Sequence, residues 1–400
     1  MKKTVAIISG RLEGGGAERA ASNLSISLSE KYNIILVLFS GENITYPYKG
    51  TIVDLHEPRK YNRIEKILLS IKRIYKLRKI KRLHHVDCSI SLLPAPNVFN
   101  CLTRINDKVV TSYRNYMSAA RDGKIDRLMT RYVDYHSDKI VSLSKMTEID
   151  LIKSFGVRAN NVQTIYNACD TKLIYNLAMS EDYEIPSYEY IITTGRLMKQ
   201  KGQWHLIKAF EEVHRKYSNL HLVILGEGEL EIKLRKIVEL LDLKEYVHFM
   251  GYKKNPHKYM YEAKAFVFTS LFEGLGNVLL EALACGLPVI STDCLAGPRE
   301  ILSSSFSEIS YDNRINQIEL ADYGILVPAF SMDDCDENNL ALEKEERVLA
   351  EAICLVVGNE EIQTRYRMAS RKRIEDFRPE RINDEWIHLI DTLTEETNTR

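Results

Sequence analysis

The chain has 400 residues, 45% of them hydrophobic and 28% charged, with 55 basic and 55 acidic side chains in formal balance. That length accommodates two domains with sizeable cores, and the fractions are those of an ordinary soluble globular protein rather than a disordered one. The neutral sum hides an asymmetry: residues 1–187 hold 29 Lys and Arg against 19 Asp and Glu, and the remainder 26 against 36. A basic first half predicts an anionic surface or acceptor as its partner.

Apolar runs in the first half predict strands at 5–9, 34–39, 52–55, 88–93, 109–112, 140–143 and 162–166. The second half offers 190–194, 221–225, 247–250, 266–270, 288–292 and 325–327, and helical patterns separate most of these runs. Such alternation predicts parallel sheets with helices on both faces, and two sets predict two Rossmann-like domains. Polar residues 178–188, with Pro186, mark the expected break. From about 339 the chain reads as helices, with Trp386 a core residue, and 333–346 as an acidic solvated loop and helix start. The start of the chain fits a strand better than a signal peptide, and no run approaches the roughly 20 apolar residues of a spanning helix. Cys88, Cys101, Cys169, Cys285, Cys294, Cys335 and Cys354 are scattered, without Cys-x-x-Cys, zinc or disulfide spacing, so a reducing cytosol is the expected compartment.

After the first strand, Gly14-Gly15-Gly16-Ala17-Glu18-Arg19 opens a helix. Glycines there let the backbone approach a ligand, and a helix start suits phosphate. Arg19 stands where a dinucleotide fingerprint needs its third glycine, so that site is disfavoured. Glu18 and Arg19 can equally be helix-start charges.

Residues 59–82 carry Arg59, Lys60, Arg63, Lys66, Lys72, Arg73, Lys76, Arg78, Lys79, Lys81 and Arg82, with Glu65 the one acid. Ile64, Ile67, Leu68, Ile71, Ile74 and Tyr75 recur among them at helical spacing. This basic amphipathic helix has two readings: docking on the first sheet with a solvated basic face, or a seat on anionic lipid. Nucleic acid is disfavoured, because aromatic interleaving and a binding motif are missing.

In the second half, Gly195-Arg196-Leu197-Met198-Lys199-Gln200-Lys201-Gly202 follows a strand and precedes a helix. Arg supplies a planar fork of donors and Lys a compact charge, and both suit a diphosphate. A glycine turn, Gly226-Glu227-Gly228, follows another strand. Residues 273–281 read Glu-Gly-Leu-Gly-Asn-Val-Leu-Leu-Glu, which puts Glu273 in a strand-to-helix loop and Glu281 on the helix. Gly274 and Gly276 let a ligand approach, and the helix-start N–H groups favour phosphate. Carboxylates on either side can accept hydrogen bonds from sugar hydroxyls. The stretch reads as a sugar-nucleotide site.

It resembles the paired-glutamate motif of retaining glycosyltransferases with the GT-B fold, specifically glycosyltransferase family 4. The likeness continues through Ala282-Leu283-Ala284-Cys285-Gly286-Leu287-Pro288-Val289-Ile290 and Gly297-Pro298-Arg299-Glu300, and reaches Gly195–Gly202 and Gly14–Arg19. The fold it implies is two Rossmann-like domains facing each other across a crevice, with a C-terminal helix crossing back to the first. The expected domains are an acceptor-side one at 1–180, a donor-binding one at 189–375 and the crossing helix at 376–400.

By the same resemblance Glu273 contacts the donor sugar, Glu281 holds the ribose hydroxyls, and Arg196 and Lys201 hold the diphosphate. Gly15, Gly16, Gly226, Gly228, Gly274, Leu275, Gly276, Asn277 and Val278 line the substrate, and the backbone near Tyr252 reads the base. Many members carry a histidine after the strand matching 109–112. Here that register holds Tyr113 or Arg114, so no catalytic histidine is carried over, and Arg114 is a candidate for an anionic acceptor or the donor. Asn97 is a weaker candidate for the same crevice.

The implied activity is retaining transfer of a hexose or N-acetylhexosamine from a nucleotide-diphosphate sugar, a UDP-sugar by family precedent, to a lipid-linked or growing surface glycan. It needs no metal and no cofactor besides the donor, and His84-His85 is the one adjacent histidine pair. The expected place is the cytoplasm, at the inner face of the cell membrane. An inactive acceptor-binding subunit and a sugar-nucleotide epimerase share the fold, but the presence of Arg196, Lys201, Glu273 and Glu281 speaks for transfer.

Overall fold

The computed structural model describes residues 2–58, 62–120, 123–180, 185–304 and 315–395. It divides into two compact units, Met1–Ala168 with Pro379–Arg400, and Cys169–Arg378.

The first unit holds β1 (Thr4–Ser9), β2 (Asn33–Leu38), β3 (Thr51–Asp54), β4 (Cys88–Ser91), β5 (Lys108–Tyr113), β6 (Lys139–Ser142) and β7 (Val162–Thr164). They pair in the order β3-β2-β1-β4-β5-β6-β7, every pair parallel. The second unit holds β8 (Tyr190–Thr194), β9 (His221–Leu225), β10 (Val247–Phe249), β11 (Phe266–Phe268), β12 (Val289–Thr292), β13 (Glu319–Leu320) and β14 (Ile325–Val327). Their order is β10-β9-β8-β11-β12-β14-β13, parallel except for the β13–β14 edge. Each strand expected from the sequence is present. Only β13 escaped, since its two residues leave no apolar run.

Strand order changes direction between β1 and β4 in one sheet and between β8 and β11 in the other. In open parallel sheets, ligands bind beyond the carboxyl ends of the strands at such points. The alternating apolar runs therefore fix both the layers and the two places where chemistry belongs.

The chain enters the second unit at Cys169, ahead of the expected break at 178–188. The reason is the helix Thr171–Ala178, which packs on the second unit's helices His257–Glu262 and Asn277–Ala284. Within 178–188, residues 181–184 lie outside the described residues. The last helix, Pro379–Glu395, belongs to the first unit, where Ile382, Trp386, Leu389 and Ile390 join Val5, Ile7, Leu24 and Leu28 in one core. Asp391 fixes its far end, taking Lys31 Nζ at 2.6 Å and the Tyr32 hydroxyl at 2.9 Å.

The basic helix spans Arg63–Leu83, opened by a capping box in which Asn62 and Glu65 exchange hydrogen bonds. Arg59 and Lys60, and the side chains of Arg63 and Ile64, lie outside the described residues. The helix does not dock on the sheet by its apolar stripe. It docks by Arg73, Leu77, Ile80 and Lys81, all buried. Arg73 pairs through two nitrogens with Glu57 and lies between the Phe39 and Phe99 rings, 3.9 and 4.3 Å from their centroids. Lys81 reaches Asp107 at 2.7 Å, with Ser89 and Asn100 around it, and burial lowers its pKa. Distant partners make these polar groups buriable, which frees Ile67, Leu68, Ile71 and Tyr75 to face outward. No helix among the described residues is long and apolar enough to cross a membrane.

Candidate active site

The loops after β8 and β11 meet at the second unit's switch point, joined by three hydrogen bonds. Leu271 N–H donates to the Gln200 carbonyl at 2.8 Å, Thr269 Oγ1–H to the Lys201 carbonyl at 3.0 Å, and Gln200 Nε2 to the Phe272 carbonyl at 2.9 Å. This stitching brings Lys201 Nζ to 2.5 Å from Glu273 Oε1. Glu273 is buried and Lys201 largely so, and the lysine also stands 5.6 Å from the centroid of the Phe268 ring. In such surroundings the pair attracts strongly, and removing one member would strand a buried charge. Arg196 lies on the same loop, solvent-exposed, with no side-chain partner among the described residues. Its carbonyl accepts from Gln203 Nε2 at 3.0 Å, which fixes the loop's path.

Gly274, Leu275 and Gly276 carry the chain from Glu273 into the helix Asn277–Ala284, with Gly276 at φ 85°. That turn offers the opening amides of Asn277 and Val278 at the strand end, an arrangement that suits an anion. Gly226 and Gly228 have a more immediate duty. The loop after β9 crosses the loop after β8 backbone on backbone: Gly195 N–H donates to Leu225 at 3.0 Å and Leu197 N–H to Glu227 at 2.9 Å. A Cβ on Gly226 would come within 2.0 Å of the Gly195 carbonyl oxygen, and one on Gly228 within 2.3 Å of that of Leu197. The Tyr252 ring is exposed, and its amide already donates to Glu227 Oε1 at 3.2 Å.

Glu281 stands one helical turn and more beyond the loop, its Oε2 3.4 Å from His257 Nε2. His257 is buried, and neither ring nitrogen completes a hydrogen bond of good geometry. His257 could not be read from the motif, because the helix His257–Glu262 that carries it lies outside the strand-loop-helix run from Phe266 to Ala284. Cys294 was also missed: its thiol is buried, and burial first and the Glu273 charge second push its pKa up.

In the first unit, Gly15 caps the helix Gly16–Leu28 without a side chain, and the Glu18 carboxylate lies over that start. A Cβ on Gly15 would come within 2.0 Å of Glu18 Oε2. The negative group complements the helix dipole, and Gly16 beside it is exposed. At the end of β5, Tyr113 is packed in the core with Val109, Val133 and Phe155, so Arg114, just past the strand, is the side chain left to meet a ligand. Its guanidinium bonds Asn167 and, at 3.5 Å, Ser112 Oγ, while its buried Nε has no partner. Burial pulls its pKa down to about 10, which leaves it charged at neutral pH. Asn97 is buried and clamps the Ser112 carbonyl at 2.9 Å, so it braces the Arg114 turn rather than standing open to a ligand.

Among the described residues, His205, Glu343 and Glu346 come close enough to hold a metal ion. Glu346 is already engaged by a cation, Lys208 Nζ at 2.8 Å, and His205 Nδ1 is 2.7 Å from the same carboxylate. Burial raises the pKa of Glu346, but bonds from His205 and Lys208 outweigh it and hold the carboxyl below its usual range. The cluster ties the helices Gln203–Lys216 and Lys344–Val357 together, which is a structural task.

Comparison with known proteins agrees with this layout. Residues 178–327 match the family described as glycosyl transferases group 1, and residues 14–173 match glycosyltransferase family 4. An uncharacterized glycosyltransferase of Methanocaldococcus jannaschii is 34% identical over 80% of this chain and 83% of its own. The N-acetylgalactosamine-N,N'-diacetylbacillosaminyl-diphospho-undecaprenol 4-alpha-N-acetylgalactosaminyltransferase of Campylobacter jejuni is 32% identical over 72% of this chain and 80% of its own. Among solved structures, Anabaena HepE in complex with UDP and glucose superposes with a TM-score of 0.73, over 98% of this chain and 100% of that one, at 16% identity. That last likeness carries the GT-B fold alone.

Proposed function

This chain belongs to glycosyltransferase family 4, and we propose that it is a retaining transferase moving a hexose or N-acetylhexosamine from a UDP-sugar to a growing surface glycan on a lipid carrier. The observation that carries this reading is the Lys201–Glu273 pair at the second unit's switch point, with Arg196 exposed on the same loop. The Campylobacter relative, whose name describes transfer onto a diphospho-undecaprenol-linked sugar, supports the acceptor class.

In this reading the diphosphate takes Arg196 and Lys201, and Glu273 is released to the donor sugar's hydroxyls. Glu281 holds the ribose, and the backbone of Gly274, Leu275, Gly276, Asn277 and Val278 seats phosphate or sugar oxygens. The bond between the sugar's C1 and the phosphate oxygen breaks as the acceptor oxygen attacks the same face. The acceptor hydroxyl's proton passes to the departing phosphate. Negative charge grows on that phosphate in the transition state, where cations already in place act most strongly. They supply what a metal would, so the reaction needs neither metal nor cofactor, and turnover in excess EDTA should equal turnover without it.

Acceptor binding falls to the first unit, with Arg114 meeting an anionic group and the Gly15–Gly16 turn offering backbone. The helix Arg63–Leu83 gives that unit a peripheral seat on anionic lipid at the inner face of the cell membrane.

The test is a thermal-shift panel of nucleotides and nucleotide sugars on wild type and Glu281→Ala, followed by transfer assays with the best donor. A ligand at 100 times its Kd stabilises by about 2.7 kcal/mol. A UDP-selective shift that Glu281→Ala weakens, with an α-linked product from an α-linked donor, is the expected outcome. Wild-type-like turnover in Arg196→Ala plus Lys201→Ala would sink the assignment. A β-linked product would sink retention alone. A well-folded chain that no nucleotide stabilises would instead be the acceptor-binding subunit.

A further inference from the structure

We propose that the helices Arg63–Leu83 and Lys124–His136 of the first unit together form one docking face for an anionic phospholipid bilayer. This rests on the membrane-side reading above and extends it, because the second helix was not singled out by the sequence.

Scattered exposed apolar side chains are normal on a soluble protein, whereas clusters mark contact surfaces. Among the described residues, twenty large hydrophobic side chains are exposed, and nine of them lie on these two helices. On the first helix Ile67, Leu68, Ile71 and Tyr75 are 62–70% exposed, and Leu83 is exposed at its end. On the second, Ile125, Leu128 and Tyr135 are 71–78% exposed, with Met129 beside them. Their spacing of three, four and seven puts them on one helical face. Thr130, Val133 and Asp134 take the opposite, buried face.

Charge says what covers this surface. Lys66, Lys72, Arg78, Lys79 and Arg82 are exposed on the first helix, and Lys124, Arg127 and Arg131 on the second. Of the three acids on these helices, Glu65 serves its capping box and Asp134 pairs with Arg158 and Asn161, which leaves Asp126 in the first turn of the second helix. Apolar side chains flanked by lysine and arginine, with little opposing acid, match the boundary between acyl chains and anionic headgroups. Both helices lean on the helix Pro94–Leu102, so their outer faces belong to one side of the sheet. Arg78 Nη2 donates to the Leu102 carbonyl at 3.2 Å, and Arg104, just past that helix, donates through Nη1 to the His136 carbonyl at 3.2 Å. Right-handed crossovers from β3 to β4, β4 to β5 and β5 to β6 require this common side.

The test is co-sedimentation of the full chain with vesicles of equal parts phosphatidylglycerol and phosphatidylcholine, and with phosphatidylcholine alone. Wild type should bind the anionic vesicles and be released by salt. Ile125→Ser/Leu128→Ser and, separately, Ile67→Ser/Leu68→Ser/Ile71→Ser should each weaken partition about tenfold or more. Arg127→Ser/Arg131→Ser should weaken it on the order of fivefold per charge. Ile232→Ser, which removes an exposed apolar side chain in the other unit, should change nothing. An unchanged UDP-induced thermal shift in each variant reports that the donor unit is intact.

Wild-type partition by Ile125→Ser/Leu128→Ser, with the first-helix variant detached, would overturn the two-helix face and leave the single-helix seat standing. Failure of wild type to bind anionic vesicles would overturn both, without touching the donor reading. A dimer in sedimentation velocity that Ile125→Ser/Leu128→Ser makes monomeric, with no partition, would hand the face to a second copy of the chain and overturn the proposal.

Discussion

Where the second sheet's strand order turns, between β8 and β11, two loops are sewn together and a lysine meets a glutamate at 2.5 Å in a buried setting. At the matching point of the first sheet, between β1 and β4, stand three glycines and a helix start with Glu18 laid across it. The first unit puts its distinctive chemistry elsewhere, in the Arg114 turn and on the outside of its helices. Similar layers thus serve different demands. In the proposed reading, holding a leaving diphosphate takes fixed charge at strand ends, whereas meeting a lipid-borne glycan takes surface.

The largest effect should come from the fixed charge. Lys201→Ala or Arg196→Ala is expected to cost on the order of 1.5–3 kcal/mol of transition-state stabilisation, roughly 10- to 200-fold in kcat. Lys201→Ala should also lower the Tm, because Glu273 is left buried and unpaired. Glu18→Ala should change kcat less than twofold, as expected for an exposed-side helix charge worth about 0.3–1 kcal/mol in stability. Initial rates on the three variants decide it. A loss from Glu18→Ala as large as that from Lys201→Ala would erase the distinction between the two switch points.

The glycines of the two units should part in the same way. Gly226→Ala drives a methyl group into the Gly195 carbonyl at a φ of 134°, so backbone must move. A cost of about 1–3 kcal/mol is expected, read as a lower Tm without ligand. Gly15→Ala meets the end of a flexible glutamate, which can swing aside. Its cost should stay below about 1 kcal/mol. Equal melting losses would mean that the first unit's turn is as tightly built as the second's.

A smaller effect separates the buried ion groups by pH. The folded pKa of Glu346 lies below its ordinary value, so its contribution is present above the unfolded carboxyl pKa and fades as pH falls through the folded one. The Lys81 pKa is also lowered, mainly by burial, but for a base that means the folded state disfavours the charge. Its contribution therefore rises as pH climbs past the folded value. Glu346→Gln should flatten the acid limb of the second unit's stability curve, and Lys81→Met should leave that limb alone. Urea melts between pH 3 and pH 6, flagged by unit-specific proteolysis, provide the measurement. An acid limb unchanged by Glu346→Gln would place the sensitivity in other carboxylates.

The two units also differed in how legible they were. Glu273, Lys201 and Arg196 could be read from the sequence because strand, glycine turn and helix start are contiguous, so one loop carries its whole message. The alternation of apolar runs gave the sheets for the same reason. The basic helix was only half legible. Its apolar spacing was visible, but that it turns outward depends on Arg73 finding Glu57 and Lys81 finding Asp107, partners far off in the chain. Helix Lys124–His136 carries fewer charges and reads as an ordinary amphipathic helix until its apolar face proves to be the exposed one. The unit boundary at Cys169 was displaced because Pro186 and its polar neighbours mark a loop, whereas the packing of Thr171–Ala178 decides membership.

His257 is the residue that the contiguous motif could not contain, and it sharpens the contrast between a site held by one layer of side chains and a site held by two. Its imidazole is buried beside Glu281 with both nitrogens short of a good hydrogen bond. A buried polar group in that state costs free energy unless a small movement completes the bond. Under the proposed function, donor binding supplies a reason for that movement: the ribose draws the Glu281 carboxylate into line, and Nε2 closes the remaining distance and holds it there. His257→Ala should then raise the KM for the donor about two- to fivefold, matching on the order of 0.5–1 kcal/mol, while kcat stays near wild type. His257→Asn, which keeps a donor of similar reach, should recover part of the loss. A fall in kcat at constant KM would move His257 into the chemistry. An unchanged KM in both variants would reduce it to filling space beneath the helix, and the second unit's site would rest on one layer.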